Sequence, residues 1–97
     1  MKTKTKIMIV DDAEMNREIL MAILGDEYDY VQAENGRQAI HILQQDMNID
    51  LMLLDINMPE MNGFQVLDRM NTFHWINDIP VIMISSEEKK DVIERAY

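Results

Sequence analysis

Cysteine is absent from the 97 residues, so neither a disulfide framework nor a thiolate metal site can be built. Nowhere does an apolar run approach the roughly 20 residues that a membrane-spanning helix needs. The basic start, Met1 to Lys6, leads straight into an apolar stretch and lacks the cleavage pattern of a secretory leader. These absences make a cytoplasmic setting the expectation. Positive charge is scarce: nine Lys and Arg against eighteen Asp and Glu leave a formal net charge of -9. That balance argues against gripping a nucleic-acid backbone and leaves room for a divalent cation or a basic partner. Repeats, linkers and low-complexity tracts are missing too, so residues 1–97 read as one domain.

What the chain does have is a hydrophobic content of 47%, too high for disorder and enough for one modest core. Its organising stretch runs from Leu51 to Gly63. Leu51-Met52-Leu53-Leu54 is short and apolar at both alternations, which reads as a strand buried on both faces, the habit of parallel sheets. It ends in one carboxylate, Asp55, followed by a turn with Pro59 and Gly63. Strands of this kind present their chemistry at their carboxyl ends.

The other elements alternate around it. Lys6 to Val10 reads as a first strand ending in Asp11-Asp12. Ala13 to Leu24 reads as a helix with Ile19, Leu20, Ile23 and Leu24 near helical spacing and Gly25 as a left-handed cap. Tyr28 to Ala33 is a less apolar strand, suited to a sheet edge, broken by Asn35-Gly36. Arg37 to Gln45 is a helix with Ala39, Ile40 and Leu43 inward. Gly63 to about Asn71 is a third helix with Phe64, Val66, Leu67 and Met70 inward. A polar, aromatic connection holds Phe73, His74 and Trp75. Pro80 to Ile84 is a fourth strand, with Pro80 where its missing N–H costs least. Ser85 to Glu88 looks like a helix start, continuing from Asp91 to Tyr97. The alternation indicates an α/β fold with a parallel sheet.

With strand order 2-1-3-4, a crevice opens where the order reverses, and Asp11, Asp12 and Asp55 would line it. Like charges this close repel, and a divalent cation relieves them. Mg²⁺ suits such a site, because it takes oxygen ligands, few carboxylates and several waters. It also suits phosphoryl transfer, where catalysis is mainly placement and charge neutralisation. Asp55 could then attack phosphorus in line, with Ser85 donating a hydrogen bond to a phosphoryl oxygen. Taken singly, each residue has a plainer role: Asp12 and Ser85 as helix caps, Asp55 as a turn residue. Their joint placement carries the chemistry.

These residues resemble the receiver domain of a two-component response regulator. The matching stretches are Ile7 to Asp12, Leu53 to Pro59 with Gly63, and Pro80 to Ser85. The resemblance implies a flavodoxin-like (CheY-like) three-layer α/β sandwich, with Asp55 as phosphoacceptor. It implies that Asp12 ligates Mg²⁺ directly and Asp11 mostly through water, that the Asn57 backbone carbonyl completes the metal site, and that Ser85 is the switch hydroxyl. The implied donor is a histidine kinase or phosphotransfer protein. The domain is then a phosphoacceptor in a phosphorelay and not an enzyme with turnover.

The family pattern continues into a fifth strand ended by a lysine and a fifth helix, and this chain stops before both. Lys89 and Lys90 follow Ser85 too closely to match that lysine, and Lys2, Lys4 and Lys6 precede the first strand. Two expectations follow. Without the lysine, phosphorylation should be weak or slow. Without the fifth helix, one face of strands 3 and 4 should be bared and strand 4 left as an unpaired edge, so the chain should form a homo-oligomer, such as a dimer, or be part of a longer parent. The contact is expected at the strand 4 edge and the last helix.

Two rival functions compete with this reading. A Mg²⁺ phosphatase of the strand-end Asp type would have a second acid two residues on, where this chain has Asn57. A docking module that is not efficiently phosphorylated is favoured by the missing lysine and opposed by the intact acidic pocket. The ten methionines read mostly as core filler. Met58 and Met61, beside the site turn, could also shape a partner surface. His41 and His74 have no metal-binding partner at useful spacing.

Overall fold

A computed structural model describes residues 4–46 and 48–85. In chain order the elements are β1 (Lys6–Val10), α1 (Glu14–Leu24), β2 (Asp29–Ala33), α2 (Gly36–Gln45), β3 (Leu51–Asp55), α3 (Gly63–Thr72), a 3-10 turn (Trp75–Asn77) and β4 (Val81–Ile84). The helix start expected at Ser85 to Glu88 and the helix from Asp91 to Tyr97 lie outside the described residues, apart from Ser85 itself.

The four strands form one parallel sheet in the order β2-β1-β3-β4. This is the expected flavodoxin-like α/β arrangement. Successive strand residues face opposite ways, so the two central strands serve two cores. Met8, Val10, Met52 and Leu54 point into a large cluster with Ala39, Ile40 and Leu43 of α2 and Val66 and Met70 of α3. Ile7, Ile9 and Leu53 point the other way, toward Leu20, Met21 and Leu24 of α1. The α1 side is thin, with three buried apolar residues in its cluster against thirteen beneath α2 and α3, among the described residues.

The inward stripe of α1 differs from the expected one. Leu20, Met21 and Leu24 meet the sheet, while Ile19 is 42% and Ile23 73% exposed. The helix is phased by Arg17, which is buried and sits three, four and seven residues before the three inward side chains. In α3, Val66 and Met70 are buried, but Phe64 is 59% exposed. Gly63, Val66 and Met70 make the inward stripe, and Phe64 follows Gly63 by about 100° of helix rotation.

The helix ends follow local chemistry. Asn35 caps α2 by accepting the Gln38 amide, and Asn62 and Gln65 close a reciprocal capping box on α3. Asp12 does not cap α1: the cap residue is Ala13, and its amide bonds the Asp11 carboxylate. Gly25 has φ 91°, positive as expected, but ψ −171° takes it out of the left-handed helical region.

At the amino ends of the strands, the Lys6 ammonium pairs with Asp46 at 2.9 Å and its amide donates to Asp50 Oδ2 at 2.8 Å. On the open side β4 is an edge of the described sheet. Val81 and Met83 pack on the large cluster and Ile84 on the α1 cluster, whereas Ile82 is 51% exposed. The face expected to be bared on strands 3 and 4 is thus largely covered: Leu53 is 7% exposed within the α1 cluster and Ile84 is half-buried against it, and among the described residues of these two strands Ile82 alone is exposed.

Candidate functional site

Register places the acids. Val10 of β1 lies opposite Leu54 of β3, so Asp11, one residue past β1, comes level with Asp55, the last residue of β3. The Asp11 amide still bonds the Ala33 carbonyl at 3.1 Å, and the Ile56 amide bonds the Ile84 carbonyl at 3.0 Å. The ladders thus hold both acids at the carboxyl edge, where the sheet order reverses.

There the carboxylates of Asp11, Asp12 and Asp55 each offer an oxygen, and the three oxygens lie within 4.8 Å of one another. Asp11 and Asp55 are each 1% exposed, while Asp12 is exposed. Asp11 Oδ1 accepts from the Ala13 amide at 2.9 Å and from Asn16 Nδ2 at 3.5 Å. Asp55 Oδ1 accepts from the Asn57 amide at 3.3 Å.

The donor set is all oxygen and all anionic, which matches a hard divalent cation and not a soft one. An octahedral Mg²⁺ with ligands at about 2.1 Å spans at most about 4.2 Å between oxygens. The three oxygens need not all be direct ligands, since Mg²⁺ keeps several waters. Two buried acids and one exposed acid also leave an open side for water and substrate.

The turn after Asp55 is shaped by close packing. The Gly63 amide donates to the Ile56 carbonyl at 2.9 Å, and an added Cβ on Gly63 would meet the Asp55 carbonyl oxygen at 2.6 Å. Glu60 takes φ 67°, the left-handed region, within this turn. Asn57 is exposed beside Asp55. Met58 is 8% exposed in the large cluster, and Met61 is half-buried against it and over Gly36. Met58 is therefore a core residue, whereas Met61 keeps part of its side chain at the surface.

Ser85 directly follows Ile84, which lies opposite Asp55, and is half-buried. It therefore stands one step beyond the nucleophile candidate on the neighbouring strand. Lys4 and Lys6 lie at the opposite ends of the strands, bonded to the Asp26 carbonyl and to Asp46.

One residue near the site was not anticipated from sequence. Arg17 is 9% exposed, and its Nη1 donates to the Asp11 carbonyl at 2.6 Å. A signal was present: an arginine sharing one helix stripe with Leu20, Met21 and Leu24.

Comparison with known proteins agrees with this geometry. Residues 7–97 match the model of the response regulator receiver domain. A two-component response regulator of rice, ORR3, is 31% identical over 98% of this chain and 78% of its own length. Response regulator RR06 of Streptococcus pneumoniae is 42% identical over 82% of this chain, which spans 36% of that protein. Among solved structures, the chemotaxis protein CheY4 of Vibrio cholerae superposes with a TM-score of 0.74 at 28% identity, covering 90% of this chain and 76% of that one. A CheY-like receiver domain protein of Methanospirillum hungatei gives 0.73 at 30% identity, covering 81% and 63%.

Proposed function

The chain belongs to the response regulator receiver domain family, a family of signalling modules, and from that premise we propose that it accepts a phosphoryl group on Asp55. The observation that carries this reading is the convergence of Asp11, Asp12 and Asp55 within 4.8 Å at the carboxyl edge of the sheet.

Asp11, Asp12, Asp55 and the backbone carbonyl of Asn57 would hold Mg²⁺. When bound, that ion neutralises charge on the equatorial phosphoryl oxygens and on the acids themselves. Asp55 supplies the nucleophile. One of its oxygens forms a bond to phosphorus while the bond from phosphorus to the donor imidazole nitrogen breaks, and that nitrogen regains a proton from solvent. The position of Asp55 at the end of β3 places the attacking oxygen by the sheet, not by a mobile loop. Ser85, next to the Asp55 position on β4, donates to a phosphoryl oxygen once it is there.

The donor is the phosphohistidine of a kinase or phosphotransfer protein. The chain acts as a phosphoacceptor in a cytoplasmic phosphorelay, and its product is a change of state, not a released molecule. Residues 1–97 act as one unit. Incubation with acetyl phosphate and Mg²⁺ followed by intact mass is the test. One added phosphoryl group, lost in Asp55→Ala, supports the reading. No label on the folded wild-type protein, with Mg²⁺ in excess, overturns it.

A second reading rests on the exposed Ile82 and the β4 edge: a receiver-like unit used for self-association or docking. Concentration-dependent sedimentation without any phosphoryl uptake would favour it.

A further inference from the structure

Arg17 is a buried cation that phosphoryl acceptance, as described, does not use. A buried guanidinium is costly unless its donors are met. Here Nη1 donates to the Asp11 carbonyl at 2.6 Å and Nε to Gln32 Oε1 at 3.0 Å. Among the described residues it forms no ion pair. Both partners are neutral oxygens, one of them the backbone of a metal-ligand candidate.

The Asp11 carbonyl needs such a donor because of where β2 ends. The Asp11 amide makes the closing β1–β2 bond, to Ala33. After Ala33 the chain turns at Glu34-Asn35 into α2, so no strand amide continues opposite Asp11. A buried carbonyl without a donor costs about 1–3 kcal/mol. Arg17 reaches back from the first turn of α1 and takes the place of the missing strand. Asp11 is then held twice by the same helix start, at its carbonyl by Arg17 and at its carboxylate by Ala13 and Asn16.

That carbonyl lies in the peptide plane joining Asp11 to Asp12, and a trans peptide turns as one rigid unit. Fixing it fixes the direction in which Asp12 leaves the strand. From this we infer that Arg17 is a positioning residue for the acid pair: through the Asp11–Asp12 peptide it holds both carboxylates toward Asp55. Gln32, at the penultimate position of β2, anchors the other side of the guanidinium. The inference rests on the acids being a cation site and adds how their geometry is kept.

The sign of the effect separates positioning from simple charge. Removing a cation beside three acids draws a divalent cation in more tightly by Coulomb attraction alone. Losing the geometry loosens it. The experiment is Mg²⁺ titration by calorimetry, with far-UV circular dichroism and thermal midpoints recorded without Mg²⁺. In Arg17→Met, Mg²⁺ affinity is expected to fall about tenfold, the scale seen when groups supporting metal ligands are removed. Arg17→Lys keeps the charge but not the fork, so recovery is partial. Gln32→Met leaves the cation and its bond to Asp11 and removes only the second anchor, with an expected loss of roughly threefold.

A folded Arg17→Met protein that binds Mg²⁺ as tightly as wild type, or more tightly, overturns the inference. If that variant does not fold, unchanged affinity in both Arg17→Lys and Gln32→Met overturns it instead. Wild-type protein that takes up no Mg²⁺ sinks the cation-site reading itself, and that outcome is visible before any variant is made.

Discussion

Gly63 lies against the backbone of Asp55. A side chain as small as a methyl group there would stand 2.6 Å from the Asp55 carbonyl oxygen and 2.8 Å from Ile56 Cα. Neither atom belongs to a flexible side chain, so the backbone itself would have to move. Gly63→Ala is expected to destabilise the protein by about 1–3 kcal/mol and to slow phosphoryl uptake by displacing Asp55. Urea unfolding and the labelling rate check the two effects separately.

Gly36 offers the contrasting case. Its added Cβ would meet Val66 Cγ2 at 2.7 Å and Met61 Cγ and Sδ at 2.8 and 2.9 Å. Methionine bends out of the way more readily than backbone does, so the resisting contact is Val66, fully buried and stiff at χ1. Gly36→Ala is expected to cost about 1 kcal/mol. Paired with Met61→Ala it should cost less than the sum of the two single changes, because both act on one contact. A double-mutant cycle in urea reads this directly.

The capping box of α3 sets the far side of the site turn. Asn62 accepts the Gln65 amide at 2.9 Å, and Gln65 returns the bond to the Asn62 amide at 2.9 Å. Asn62→Ala removes one arm and is expected to cost about 1 kcal/mol. Asn62→Asp, which keeps the acceptor, should cost little. Thermal unfolding distinguishes them.

Tyr30 gives a pH signature. Its hydroxyl donates to the Gly25 carbonyl, and desolvation, then the neighbouring Tyr28 and Asp26, raise its pKa above the ordinary 10.0. The unfolded chain therefore releases this proton at lower pH than the folded one. Stability from this group is full below the ordinary tyrosine value and declines as pH rises past it. Tyr30→Phe should flatten that alkaline decline while lowering stability at neutral pH through the lost hydrogen bond. Unfolding midpoints taken from neutral to strongly alkaline pH show it.

The β4 edge predicts association. Ile82→Lys places a charge at the 51% exposed position on that edge and should lower the sedimentation average at micromolar concentration if copies pair there. An identical concentration dependence in the variant would remove Ile82 from the contact.

The fold was legible because its strands announce themselves. From Ile7 in β1 and from Leu51 in β3 the strands are apolar at both alternations and run into acids, so their parallel, central placement follows from sequence. The acidic site was legible for the same reason, since strand order and register bring Asp11 level with Asp55. The face of α1 was less clear, because Ile19, Leu20, Ile23 and Leu24 cover an arc of about 140°, and the sheet takes only the Leu20 and Leu24 side of it together with Met21. Deciding which half faces the sheet required knowing that Arg17 is drawn inward by the Asp11 carbonyl, a contact made only when β2 ends where it does. Phe64 misled in the same way, since an aromatic at a helix start reads as core until the helix phase is fixed. The packing of Met61 over α2 depends on Gly36, whose lack of a side chain leaves room for it.

The bonds of Lys6 to Asp46 and Asp50 have a mechanical consequence. They rivet β1 to the segment entering β3 at the end remote from the acids. Mutual repulsion among Asp11, Asp12 and Asp55 therefore acts on a sheet clamped at its base, like force on the open tips of tweezers. If the acids hold Mg²⁺ as proposed, loosening on its removal is expected to concentrate in the few peptide units around Val10 and Leu54. Amide exchange there should quicken on chelation while the amides of Ile7 and Met52 keep their protection.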